Sequence, residues 1–260
     1  MPAVTAHCII KNEEDFVGYA IRSIINFVDL VIVFDTGSTD KTVQIVQNLM
    51  REYPNKILFE EKGLCNKKRH TELRQEMLNK TITDWFMILD GDEVWTNQGM
   101  EEALGLVKGG KVDYIQSNFY ECVGDIFHTH RKPGYKTVRF FKSENIKWQG
   151  DYCGDLVVSK VSNHPVDIAK TAVLLTNKFW HLTHLRRSFC GNDDYSSGGS
   201  RKEKRRLTYF IIGRKIIEPI PEVFSKNSAN FRMSWSDSFI NFFKLVLFKN
   251  KYYIWVKKSG

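Results

Sequence analysis

Apolar positions in the first third of the chain come in short runs, at residues 4–10, 30–34, 56–60 and 84–89. Each run is dominated by residues that suit a strand buried on both faces. Between the runs the period changes. Phe16, Ala20, Ile24 and Phe27 recur at helical spacing in the first gap, Val43, Val46, Leu49 and Met50 in the second, and Leu73, Met77 and Leu78 in the third. Every gap therefore predicts an amphipathic helix, and strand–helix alternation of this kind predicts a parallel α/β sheet. Beyond residue 90 a short helix is expected at 99–107. Aromatic and β-rich stretches at 114–123, 137–142, 156–160 and 173–181 then predict a mixed or antiparallel second half.

Composition narrows the class. With 42% hydrophobic and 26% charged residues over 260 positions, the chain is an ordinary folded protein able to bury a large core. The net charge of +8 is uneven, because residues 200–260 hold fourteen Lys or Arg against four acids, leaving the rest near −2. A Gly/Ser/Asp-rich stretch at 191–200 precedes this basic segment and marks a linker. The expected organisation is a body over 1–190, a linker over 191–200 and a basic, aromatic, helical region over 201–260.

In that last region Phe239, Phe242, Phe243, Val246 and Leu247 fall at helical spacing with Lys244, Lys249 and Lys251 nearby. Such a helix suits peripheral contact with an anionic membrane surface, or packing on the body or in a homo-oligomer seam. No motif supports nucleic-acid recognition. No window approaches the roughly 20 apolar residues of a membrane span. Five cysteines without a C-x-x-C pair predict reduced thiols. The first apolar run is too short for a secretory core. A cytoplasmic protein is expected, at most peripheral at the inner face of the membrane.

Candidate chemistry concentrates at two strand ends. In Trp85-Phe-Met-Ile-Leu-Asp90-Gly91-Asp92-Glu93, five apolar residues deliver three carboxylates to the carboxyl end of a strand, where open α/β sheets bind ligands. Three acids in four residues repel one another unless a cation sits among them. Hard ions such as Mn2+ or Mg2+ take oxygen ligands and are commonly shared with substrate phosphates. The bland alternative is a solvated acidic turn capping the next helix. In Phe34-Asp35-Thr36-Gly37-Ser38-Thr39-Asp40-Lys41-Thr42, the residues after Asp35 suit a helix start, whereas Asp35 itself is placed to meet a ribose or base. This turn has neither Walker-type nor dinucleotide spacing. His181 and His184, following a strand-like run, are candidate metal ligands or satisfied structural groups. Their H-x-x-H spacing alone is no zinc signature.

Three motifs in this order, Ile9-Ile-Lys-Asn-Glu-Glu14, Val33-Phe-Asp-Thr-Gly-Ser-Thr-Asp-Lys-Thr42 and Asp84-Trp-Phe-Met-Ile-Leu-Asp-Gly-Asp-Glu93, resemble those of the family 2 glycosyltransferases with the GT-A fold. The nearest branch in appearance is that of lipopolysaccharide-core and other cell-surface glycan transferases. The resemblance is clear over residues 3–108 and thins afterwards. It implies a donor-binding half over about 1–108 and an acceptor half over about 109–190. It also implies a divalent metal, Mn2+ or Mg2+, a nucleotide-sugar donor of the UDP type and a glycan, lipid-linked or peptide acceptor.

Position by position, the resemblance places Ile9, Lys11, Glu13 and Asp35 at the base and ribose, and Arg69 near the base or diphosphate. It places Asp90 toward the ribose and, with Asp92, at the metal, with His181 and His184 as its late histidine candidates. An inverting transferase also needs a carboxylate base within reach of the acceptor proton. Where related sequences carry a His-Glu pair, this chain has Cys153-Gly154, so Asp155 or Asp151 is the expected stand-in, and both could equally mark a turn. A non-catalytic nucleotide-sugar or glycan-binding module remains an alternative. A nucleotidyltransferase is disfavoured because acids stand where its Gly-rich basic loop belongs.

Overall fold

The computed structural model describes residues 3–130, 136–151, 156–185, 213–226 and 228–232. Its first half follows the expected alternation: β1 (Val4–Ile10), α1 (Val17–Ile24), β2 (Leu30–Asp35), α2 (Thr42–Glu52), β3 (Ile57–Glu61), α3 (Lys67–Lys80) and β4 (Trp85–Ile88). β1 pairs in parallel with β2 and β4, and β2 in parallel with β3. β2 and β4 lack polar alternation because both their faces are covered. On β2, Val31 and Val33 join the core shared with Val17, Ala20, Ile21 and Val46 of α1 and α2. Ile32 and Phe34 of the same strand meet Leu73 and Met77 of α3. Successive strand side chains point to opposite faces, so one strand serves both clusters.

The second half is built from β5 (Glu93–Val94), α4 (Asn97–Gly109), β6 (Tyr114–Ser117), β7 (Phe119–Val123), β8 (His128–Thr129), β9 (Thr137–Lys142), β10 (Ile146–Gln149), β11 (Leu156–Ser159), α5 (Ile168–Thr171), β12 (Val173–Leu174), β13 (Phe179–His184) and β14 (Arg214–Lys215). Helix α4 begins where the Thr96 side chain accepts from the Gly99 amide and stops at Gly110, whose φ of 65° is the left-handed stop that glycine adopts freely. The main sheet has seven strands in the order β12-β6-β9-β4-β1-β2-β3, and β9 runs antiparallel to both neighbours. The mixed second half is therefore as expected.

The structure corrects two element boundaries. Residues 114–123 form two strands rather than one: β6 lies in the main sheet, and after Asn118 the chain continues as β7 in a second sheet. The expected strand over 173–181 likewise breaks into β12, in the main sheet, and β13, in the second. Both departures meet at Ser117, which is fully buried and whose hydroxyl reaches the carbonyls of Asn118 and Asn177 at 2.7 and 3.1 Å. A hydroxyl can satisfy backbone that has left its ladder, which a propensity reading cannot see. An additional antiparallel pair, β10–β11, packs on α3, where the Trp148 amide donates to Gln75 Oε1 at 2.8 Å.

The second sheet has the order β14-β8-β7-β13-β5. It buries Val94, Tyr120, Cys122, Trp180 and Leu182 with Phe16, Ile216 and Phe224. Ile216 and Phe224, from the region expected to be appended, thus sit in the core of the body. The 191–200 stretch and the aromatic run from Phe239 to Leu247 lie outside the described residues. Among the described residues no helix is long and apolar enough to cross a membrane.

Candidate active site

The loops that leave β1 and β2 are laced together by side chains. Asp35 ends β2 with 1% exposure, and its Oδ2 accepts the amides of Gly37 and Ser38, each at 2.9 Å. Its Oδ1 accepts the Ser38 hydroxyl. Gly37, at φ 89°, permits this tight return, because such a backbone strains any residue with a Cβ. From the other loop, the Asn12 amide donates to Ser38 Oγ at 2.8 Å and Asn12 Oδ1 accepts from the Thr39 amide at 2.8 Å. The Glu13 amide donates to Thr42 Oγ1 at 2.7 Å, and Glu14 Oε2 accepts the Lys41 amide at 2.9 Å. The motif residues around Asp35 thus fasten two strand ends to one another.

The acidic turn at the end of β4 leans directly on that assembly. A Cβ placed on Gly91 would lie 2.9 Å from Glu13 Cγ and 3.0 Å from Ile10 Cγ2. Gly91 is therefore required for close approach. Its neighbours gather charge. The Asp92 side chain is 8% exposed and Glu93 is fully buried, while the Asp90 side chain keeps 44% of its surface open. Compensation comes from Arg139 on β9, a 12% exposed side chain whose Nη2 donates to Asp90 Oδ2 at 2.9 Å and to Glu93 Oε1.

Beyond Arg139, the second sheet adds His181. β5 continues the turn and pairs with β13, setting Glu93 opposite His181. The His181 Nε2 lies 3.5 Å from Asp92 Oδ1. Burial alone would lower the His181 pKa, but Asp92, Glu93 and Asp90 outweigh it and lift the value to about 9. Burial pushes the Glu93 carboxyl upward and Asp90 adds to this, against the pull of Arg139. For Asp90 burial also acts upward, yet Arg139 and Arg74 prevail and hold it below its ordinary range. The surrounding negative charge thus favours the protonated form of the half-buried His181 imidazole. The His181 ring nitrogen and the Asp92 carboxylate, 3.5 Å apart, are donors of the kind that a divalent cation such as Mn2+ or Mg2+ takes.

The remaining candidates are dispersed. Ile9 packs against the Ile32–Phe34 cluster, and Lys11 is half-buried just past β1. Arg69, on the first turn of α3, pairs with Glu72 at 3.2 Å and Glu76 at 3.7 Å and is 41% exposed. Asp151 is exposed just beyond β10, and Asp155 lies outside the described residues. His184 sits with Glu121, its Nε2 at 2.7 Å from Glu121 Oε1. Two groups escaped selection on sequence grounds. Glu93 reads as part of the acidic turn, and Arg139 reads as one residue of a β-rich run. Nothing local in Val138-Arg-Phe-Phe-Lys142 pairs Arg139 with the acidic turn, because strand order is not written in the sequence.

A family model described as Glycosyl transferase family 2 matches residues 7–182. An uncharacterized glycosyltransferase of Rickettsia conorii is 31% identical over 225 residues, covering 82% of this chain and 76% of its own. Another from Rickettsia felis is 25% identical over 228 residues, covering 84% and 77%. Among solved structures, S. aureus TarS 1–349 in complex with UDP-GlcNAc is similar with a TM-score of 0.48 at 12% identity over 80% of this chain. This chain spans 65% of that structure and 42% of a second TarS structure, which has a TM-score of 0.47 at 11% identity.

Proposed function

Because the chain belongs to glycosyl transferase family 2, we propose that it moves a sugar from a nucleoside diphosphate donor, with metal assistance and inversion at the anomeric carbon. UDP-sugars are the first donors to test, and a cell-surface glycan, a lipid-linked sugar or a peptide is the acceptor class. The observation that supports this reading best is the gathering of Asp90, Asp92, Glu93 and His181 at the end of β4, with the Arg139 guanidinium paired to Asp90 and Glu93.

In this reading Asp92 and His181 hold the divalent ion, and Asp90 faces the donor ribose. A bound Mn2+ or Mg2+ supplies charge neutralisation and a template for the leaving diphosphate. Arg139 restrains Asp90 and keeps Glu93 paired beneath it. Ile9, Lys11 and Glu13 line the nucleotide side. Asp35 acts first by shaping the loop over that side, its oxygens already accepting from Gly37 and Ser38. Arg69 serves the diphosphate by leaving its acidic neighbours on α3. Asp155, or Asp151 in its place, takes the acceptor proton. The basic 201–260 segment supports peripheral contact with an anionic membrane.

The test is nucleoside diphosphate release from a panel of UDP- and GDP-sugars with Mn2+ and candidate acceptor glycans. Release that requires metal and acceptor is expected. Stable binding of a donor with no release under any acceptor would instead make the protein a binding module.

A further inference from the structure

A second polar cluster lies on the second sheet, on the strand pair that also carries His181. Strand pairing dictates its assembly. On β7, Glu121 is in register with His181 of β13, and Val123 is in register with His184, so three steps on β13 are matched to two on β7. On a regular strand His181 and His184 would point to opposite faces. The shift in register absorbs one residue and brings both to the face occupied by Glu121. From the other side β8 pairs with β7 through Cys122 and Thr129, and the His130 amide donates to the Glu121 carbonyl at 3.1 Å. That continues the antiparallel ladder by one step and sets His130 beside Glu121.

Three neighbouring chain segments therefore place a carboxylate between two imidazoles. Glu121 Oε1 is 2.7 Å from His184 Nε2, the rings of His130 and His184 are 5.5 Å apart at 77°, and one ligand atom from each residue lies within 4.8 Å of the others. All three side chains are partly buried, neither lost in the core nor fully solvated. Two histidines and one carboxylate form a donor set that suits Zn2+ with a fourth position open. Ligand atoms about 2.0–2.2 Å from a tetrahedral ion stand about 3.4 Å apart, so closing the site needs a shift of roughly an ångström.

We propose that Glu121, His130 and His184 form a second metal site, selective for a borderline ion such as Zn2+ and separate from the carboxylate-rich site at Asp92. The difference in ligands sets the preference: imidazole suits Zn2+, whereas carboxylates and waters suit Mg2+ and Mn2+. An ion there joins β8, β7 and β13 through side chains. The site does not depend on the donor reading, since none of its ligands lies in the acidic turn.

The experiment is a titration of chelator-treated full-length protein with Zn2+, and with Co2+ as an optical probe of four-coordinate binding. One equivalent is expected to bind with visible cobalt bands. Glu121→Gln and His130→Asn should each weaken binding at least tenfold while Asp92→Asn leaves it intact. On the wild-type protein, histidine-ring NMR should show His130 and His184 as the rings that respond to Zn2+, which keeps the test decisive should a variant misfold. Zinc binding unchanged by Glu121→Gln and His130→Asn, binding lost with Asp92→Asn, no binding at all, or a response at His181 alone would overturn the proposal.

Discussion

Two parallel strands of the main sheet, β2 and β4, deliver carboxylates to their carboxyl ends, and they satisfy them in opposite ways. Asp35 finds its partners within three residues, the amides of Gly37 and Ser38 and the Ser38 hydroxyl. The turn after β4 holds three acids that local backbone cannot balance. It draws Arg139 from 46 and 49 residues away and His181 from another sheet. A carboxylate that its own turn satisfies builds the fold. Carboxylates that draw Arg139 and His181 from elsewhere in the chain, and raise the pKa of that histidine, mark a candidate functional site.

The largest expected effect tests the imported half of that comparison. Arg139→Met leaves Glu93 buried beside Asp90 without its counter-charge, and about 3–5 kcal/mol of stability should be lost, read by denaturant unfolding. A loss below about 1 kcal/mol would mean that the arginine is incidental. Asp35→Ala, on the self-satisfied side, should cost about 1–3 kcal/mol for the orphaned amides of its turn. Donor binding should weaken only as far as the loop loosens, which calorimetry at a temperature where the variant is folded can check.

A smaller effect follows from His181. Its pKa is raised from 6.5 to about 9, so its stabilising contribution is whole below about 6.5 and lost as the pH rises toward 9. In chelator-treated protein the thermal midpoint should fall by about a few degrees across that window, and His181→Asn should remove the difference. Added Mn2+ should also flatten it, because the ion takes the place of the proton. The smallest effect belongs to Arg69. Its pairs with Glu72 and Glu76 are exposed, so Arg69→Ala should change stability by less than about 1 kcal/mol. Any effect should appear in the KM for donor.

How far the sequence reveals this molecule depends on how local each feature is. The GT-A sheet was legible through β4 because apolar runs and helical spacings are local, and so were the strand-end positions of Asp35, Asp90 and Asp92. Arg139 was hidden because its role follows from β9 lying beside β4, an adjacency set by topology. The two strand breaks at Ser117 and Asn177 were hidden for a related reason: a buried hydroxyl donates to a carbonyl 60 residues away. His184 shows the limit most clearly. H-x-x-H on a regular strand separates the two rings, and only the register shift between β13 and β7 sets His184 beside Glu121 while His181 faces Asp92.

The central claim, that the turn after β4 is the metal and donor end of this family 2 glycosyltransferase, is tested most directly by Mn2+ binding to wild-type and Asp92→Asn protein. Electron paramagnetic resonance with and without UDP or GDP reads it. The account predicts one Mn2+ site on the wild type that a nucleoside diphosphate tightens, and a folded Asp92→Asn protein in which that coupling is gone. Turnover should then fall by about 10²–10³-fold. An Asp92→Asn protein that keeps nucleotide-coupled Mn2+ binding and wild-type turnover would contradict it.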